Sequence, residues 1–161
     1  MEIRIDVARH VDATPSRVFA LLLDPVAFPA TFRGYGPIAA IERIVLDAPP
    51  ALGSTRSIHN ADGSVLRERI TALEPPHRHA YRLDGFVAPF AWLVRAGHAD
   101  WRIDTQPSGS LLRWSYRFEL TSPLLWPLCW PLLRVCMKAA MTRCLDAIAV
   151  ACQPDETGDR R

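Results

Sequence analysis

Apolar and charged residues alternate through Glu2–Val11, with Ile3, Ile5 and Val7 on one side and Glu2, Arg4 and Asp6 on the other. A two-residue period of this kind predicts a strand with one buried face. Asp12-Ala13-Thr14-Pro15-Ser16 then signals a helix start, since Thr14 can cap free backbone N–H groups and Pro15 suits the first helical position. Val18, Phe19, Leu22 and Leu23 continue at helical spacing until Asp24-Pro25. Val26–Phe32 reads as a second short helix, interrupted by Pro29.

Beyond Gly34-Tyr35-Gly36-Pro37 the pattern returns to strands. Ile38–Asp47 is a β-branched run stopped by Ala48-Pro49-Pro50. Gly53–His59 and Ser64–Leu73 flank Asn60-Ala61-Asp62-Gly63, whose Asp-Gly ending predicts a hairpin turn. After Pro75-Pro76, His77–Asp84 is a short strand and Gly85–Ala91 an apolar loop. Leu93–Thr105 and Leu111–Thr121 flank Gln106–Ser110, again of turn composition.

Six strands in succession favour an antiparallel sheet, and such a sheet must bury one face. The one large partner on offer is a helix predicted from Pro131 to Cys152. Arg134, Lys138, Thr142 and Asp146 form its polar stripe, opposite Leu133, Cys136, Met137, Ala140, Cys144 and Ile148. Residues 1–152 therefore read as one α+β domain, followed by a polar tail, 153–161, expected to be disordered.

Composition narrows the classes of partner. A formal charge of +2 with arginines scattered along the chain gives no basic cluster for nucleic acid. Of the 19 Lys and Arg, Lys138 is the only lysine. Cys129, Cys136, Cys144 and Cys152 lack the close pairing of a metal site, and helical spacing holds Cys136 and Cys144 beyond bridging distance. Free thiols of this kind suit a reducing cytoplasm. The alternating N-terminus does not read as a signal peptide. Pro123–Leu133 is apolar but about half the length of a membrane span, and it ends at Arg134. Its Trp126 and Trp130 could still touch a membrane surface transiently, or mediate a homodimer.

Four segments resemble the START-like superfamily, in its polyketide cyclase/dehydratase-type branch. They are Ala13–Phe19 with Asp24-Pro25, Arg67–Pro76, His79–Leu83 and Gly109–Trp114. The resemblance implies a helix-grip fold: a seven-stranded curved antiparallel sheet around a long C-terminal helix, with two short helices after the first strand. It also implies a cavity between sheet and helix, entered past loops 60–63 and 85–91. Members of the superfamily include cyclases and carriers of lipids or hormones.

Strand parity then nominates the cavity wall. Trp114, Tyr116 and Phe118 share a face with Leu112, while Trp101 and Ile103 share one with Ala99, Gly97 and Arg95. By the family pattern His79, Tyr81 and Leu83 face inward, as does Glu68 with Leu66 and Ile70. The expected ligand contacts are Tyr81, Arg95, Trp101, Trp114, Tyr116 and Phe118, with Phe86 and Phe90 from the loop and Met137 and Met141 from the helix. Two functions follow. The first is binding or carriage of a small apolar molecule (a lipid, isoprenoid or polyketide-like aromatic), with polar residues setting its orientation. The second is a cofactor-independent cyclase or dehydratase, with His79 or Glu68 as base and Arg95 or Tyr81 as donor to an enolate oxygen. An ion pair between Glu68 and Arg95 is the structural alternative for those two. His77-Arg78-His79 has metal-binding spacing but no third ligand, so no metal is assigned.

Overall fold

The alternation in Glu2–Val11 becomes the first strand of a seven-stranded antiparallel sheet, described here from a computed structural model covering residues 1–153. Of the polar tail expected over 153–161, all but Gln153 lies outside the described residues. The strands are β1 (Glu2–Val11), β2 (Ile41–Leu46), β3 (Thr55–Asn60), β4 (Val65–Glu74), β5 (Arg78–Asp84), β6 (Val94–Gln106) and β7 (Gly109–Leu120). Their spatial order is β1-β7-β6-β5-β4-β3-β2. Consecutive strands from β2 to β7 are joined as neighbours, and β1 returns to pair with β7. Gly63, at φ 84°, supplies the left-handed position in the β3–β4 hairpin that an L side chain would strain.

Between β1 and β2 lies α1 (Pro15–Leu23), where Thr14 Oγ1 accepts from Arg17 N at 3.4 Å. Its apolar stripe buries Val18, Phe19 and Leu22. The predicted second helix is shorter than its sequence suggests. It is a single three-ten turn, Phe28–Thr31, with Pro29 in the opening positions, where a missing N–H breaks no bond.

The C-terminal helix departs most from expectation. A three-ten turn (Pro123–Leu125) leads directly into α3 (Trp126–Leu132), a π turn (Leu133–Met137) and α4 (Lys138–Ala151). Pro131 therefore sits inside the helix and does not start it. The widened turn just after it relaxes the local hydrogen-bond ladder, which accommodates the proline. Lys138 is exposed where the π turn gives way to regular α-helix. The whole run, Pro123–Ala151, is long and apolar enough to cross a membrane by length and composition, which replaces the half-span inferred from Pro123–Leu133. Its second half packs on the sheet through Met137, Ala140, Met141, Cys144, Leu145 and Ile148, all buried. Arg9 reaches Asp146 at 3.1 Å across that contact.

The sheet's other face gathers the scattered arginines into rows. Register aligns Arg4, Arg117, His98, Arg82 and Arg69 across five strands, and Arg113, Arg102 and Arg78 across three. Acids are interleaved: Arg4 pairs with Asp6 at 3.0 Å, Arg78 with Asp100 at 3.1 Å and His98 with Glu119 at 2.5 Å.

Candidate functional site

Strand β7 runs without a register break opposite both neighbours over Trp114–Phe118, so its inward parity survives: Trp114, Tyr116 and Phe118 are all buried. Together with Tyr81 of β5 they wall a cavity of about 350 Å³ between sheet and helix. Loop 85–91 contributes Phe86 and, within the one-turn helix α2 (Phe90–Leu93), Phe90, while Met137 closes the helix side. Ile58, Leu66 and Leu83 line the sheet side, and Asn60, Asp62 and Ser64 lie at the hairpin end. Both predicted entrance loops thus border the cavity. Gly97 keeps the wall in shape: a Cβ there would fall 2.5 Å from Tyr116 Cε1 and 2.8 Å from its hydroxyl, so only glycine leaves room for that ring.

Three expected ligand contacts do not line this cavity. Trp101 is packed core, its ring stacked on Trp114 with centroids 4.0 Å apart and its edge met by Phe28. Met141 is fully buried one helical turn beyond Met137. Arg95 points away from the core. The register between β6 and β7 slips between Val94 and Ala96, so both of those are buried and the intervening Arg95 is exposed. One extra residue in the strand reversed its face.

Glu68 and His79 do face inward, but neither is on the cavity wall. The partner of Glu68 is Arg56, not Arg95. Arg56 Nε donates to Glu68 Oε1 at 2.7 Å, and Arg56 Nη2 lies 3.4 Å from His79 Nε2; all three side chains are buried. Since arginine only donates, His79 accepts at Nε2 and carries its proton on Nδ1. Among the described residues that Nδ1, Arg56 Nη1 and the indole Nε1 of Trp114 have no hydrogen-bond partner. Burial, with the Arg56 charge beside it, pulls the His79 pKa down to about 3. Its 3.9 Å approach to Glu68 is therefore no ion pair at neutral pH. Burial raises the Glu68 pKa, against the pull of Arg56. Burial likewise holds both tyrosine hydroxyls protonated: Tyr81, helped by Tyr116 and Glu68, and Tyr116, helped by Glu68. They are neutral donors.

This arrangement fixes a pH dependence. The folded-state pKa of His79 lies below its unfolded value of about 6.5, so its contribution to stability is present above pH 6.5 and is lost as pH falls toward 3. The slope for one such group is about 1.4 kcal/mol per pH unit. His79→Gln, which keeps an acceptor for Arg56 but cannot titrate, is expected to flatten the acid limb of stability measured by urea unfolding. An unchanged limb would place the titrating group elsewhere.

A larger depression of about 590 Å³ lies on the outer face, lined by Arg4, Asp6, Arg78, Asp100, Arg102 and Arg113. Arg4, Arg78 and Arg102 pair with Asp6 and Asp100 there and Arg113 with Asp104 beside it, and a wall of ion pairs is a poor place for an apolar ligand.

Fold and cavity together define a helix-grip, ligand-enclosing protein. The chain belongs to the family described as polyketide cyclase / dehydrase and lipid transport, whose model matches residues 2–153. Solved structures share the fold at low identity. The Mesorhizobium loti protein MLL2253 has a TM-score of 0.69 and 17% identity, over 92% of this chain and 95% of that one. Norcoclaurine synthase from Thalictrum flavum has a TM-score of 0.70 and 12% identity, over 94% and 93%. The di-domain ARO/CYC StfQ from the steffimycin biosynthetic pathway has a TM-score of 0.72 and 13% identity, over 94% of this chain and 51% of StfQ. No curated protein sequence matches the chain.

The residue that sequence reasoning missed is Arg56. A signal existed: it shares parity with Ile58, and the Asp-Gly hairpin register sets it directly opposite Glu68.

Proposed function

We propose that this protein binds or carries a compact apolar molecule bearing at least one acceptor oxygen. The observation that carries this reading is the cavity wall itself, apolar and aromatic between sheet and helix apart from the neutral donors Tyr81 and Tyr116, with Asn60, Asp62 and Ser64 at the hairpin end. A volume of about 350 Å³ is at the lower end of ligand clefts, roughly 300–1,000 Å³, which favours a fused-ring aromatic or a single chain over a two-chain lipid. The family's double description, cyclisation or dehydration beside lipid transport, fits such a ligand.

Binding is preferred to catalysis because the acid–base candidates are set back from the cavity. A His79 with a pKa near 3 is a weak base, and Glu68 is engaged by Arg56. The cyclase or dehydratase alternative would rest on Tyr81 and Tyr116 as donors to a developing enolate, with the base supplied by the substrate or water. The interleaved acids on the outer face argue against a nucleic-acid partner. Free thiols at Cys129, Cys144 and Cys152, all buried, support a reducing, cytoplasmic compartment. The exposed front of the terminal helix supports a second contact, with a membrane surface or another copy of the chain.

Organic extraction and native mass spectrometry of purified protein are expected to reveal a co-purified apolar molecule. With that molecule in hand, Tyr81→Phe and Tyr116→Phe should each weaken binding roughly five- to tenfold, the worth of one hydrogen bond near 1 kcal/mol. Wild-type affinity in both would remove the tyrosines from the site. Wild-type turnover of a ketone substrate in both would remove the tyrosines from any catalytic role.

A further inference from the structure

The front half of the terminal helix is apolar where it meets solvent. Leu124 is 89% exposed, and Leu128, Trp130, Pro131 and Val135 continue outward at helical spacing. Trp126 lies beside Trp130, the rings tilted by 34° with centroids 5.9 Å apart. The patch does not stop at the helix. Thr121, which precedes it, donates from its backbone N–H to the Leu93 carbonyl at 3.0 Å and from its hydroxyl to the Trp92 carbonyl. Trp92, 70% exposed, therefore lies beside the helix start, just after the loop that roofs the cavity, on which Val87 is half-exposed. Exposed apolar residues in a continuous patch mark an interaction surface.

Charge selects among three occupants. No Asp or Glu occurs between Glu119 and Asp146, whereas Arg134, Lys138 and Arg143 all fall in that interval and are exposed. The Arg134 guanidinium lies 5.5 Å from the centre of the Trp130 ring, so cation and aromatic occupy one surface. A two-fold dimer would set this segment against itself, bringing like charges together with no acid in the segment to pair them. Spanning a bilayer would require pulling α4 off the sheet, because the free front, Pro123–Val135, is only about 20 Å long against roughly 30 Å of hydrocarbon. An anionic lipid surface satisfies both features: tryptophans suit the interface, and basic side chains meet lipid phosphates.

We propose that Trp126, Trp130, Leu124 and Leu128, with Trp92 next to the roof loop, dock this protein on anionic bilayers and that Arg134 and Lys138 give the lipid preference. Docked this way, the roof of the cavity lies against the bilayer, so an apolar ligand could pass between them with little exposure to water. This last consequence rests on the cavity reading. The docking does not, and it is measured with no ligand added.

The test is flotation of the full chain with phosphatidylcholine vesicles and with vesicles containing 30% phosphatidylglycerol as an order-of-magnitude choice of surface charge. Wild type is expected to float with the anionic vesicles, to be partly released by added salt, and to bind neutral vesicles at least tenfold less. Trp126→Ala with Trp130→Ala should reduce the bound fraction at least tenfold. Leu124→Asp, at a site too exposed to matter for folding, should do much the same, and Arg134→Glu with Lys138→Glu should erase the lipid preference. Circular dichroism checks that each variant is folded. Equal binding of wild type and folded Leu124→Asp, or absence of wild-type binding to anionic vesicles, overturns the proposal. A concentration-dependent dimer in sedimentation that Leu124→Asp dissociates, without vesicle binding, overturns it in favour of self-association.

Discussion

Replacing Glu68 by alanine is expected to cost the fold about 3–5 kcal/mol, because it strands the Arg56 guanidinium in the core without its counter-charge. For a chain of this size such a loss removes a large part of total stability. The same physics predicts an asymmetric cycle. Arg56→Met combined with Glu68→Leu removes both desolvated charges and is expected to be near neutral or stabilising, although either single change is severe. Urea unfolding of the four proteins reads this directly. Additive losses in the double variant would mean zero coupling, so that neither buried charge depends on the other. The outcome bears on function as well. A pair that the fold would do without energetically is retained for another reason, and its place behind two cavity tyrosines that feel the Glu68 charge suggests a tuned polarity.

The second large effect concerns the cavity. Leu66→Trp on β4 with Met137→Trp on the helix should fill it from opposite walls, since both side chains border the empty volume. Binding of the extracted ligand is expected to fall at least 100-fold, about 2.8 kcal/mol, while the protein stays folded because the added rings enter space and displace no core atoms. Isothermal titration checks the affinity and thermal unfolding the fold. Unchanged affinity in a folded double variant would move the ligand to another surface, the outer-face depression being the next to examine.

How far each residue could be read in advance depended on the regularity of its strand. Trp114, Tyr116 and Phe118 were legible because β7 keeps its alternation unbroken against both neighbours over that stretch. Arg95 was not: an extra residue between Val94 and Ala96 is a property of two strands together, and nothing in either sequence announces it. Trp101 illustrates a different limit. Periodicity put it on the inner face correctly, but whether an inner-face ring borders space or another ring is decided by neighbours distant in sequence, here Trp114 and Phe28. The helix start was misplaced because proline was read as a boundary, whereas a π turn lets Pro131 sit within the helix. Arg56 was recoverable from the hairpin register, but an arginine is seldom buried, and that expectation hid it.

The outer face carries its charge on arginine, which leaves Lys138 as the sole side-chain amine in a chain of 161 residues. It is exposed next to the π turn, close in sequence to the apolar front of the helix. An amine-directed reagent would therefore tag one helix position besides the N-terminus, setting a fluorophore at the junction of buried and free helix. No cysteine substitution is needed to install it.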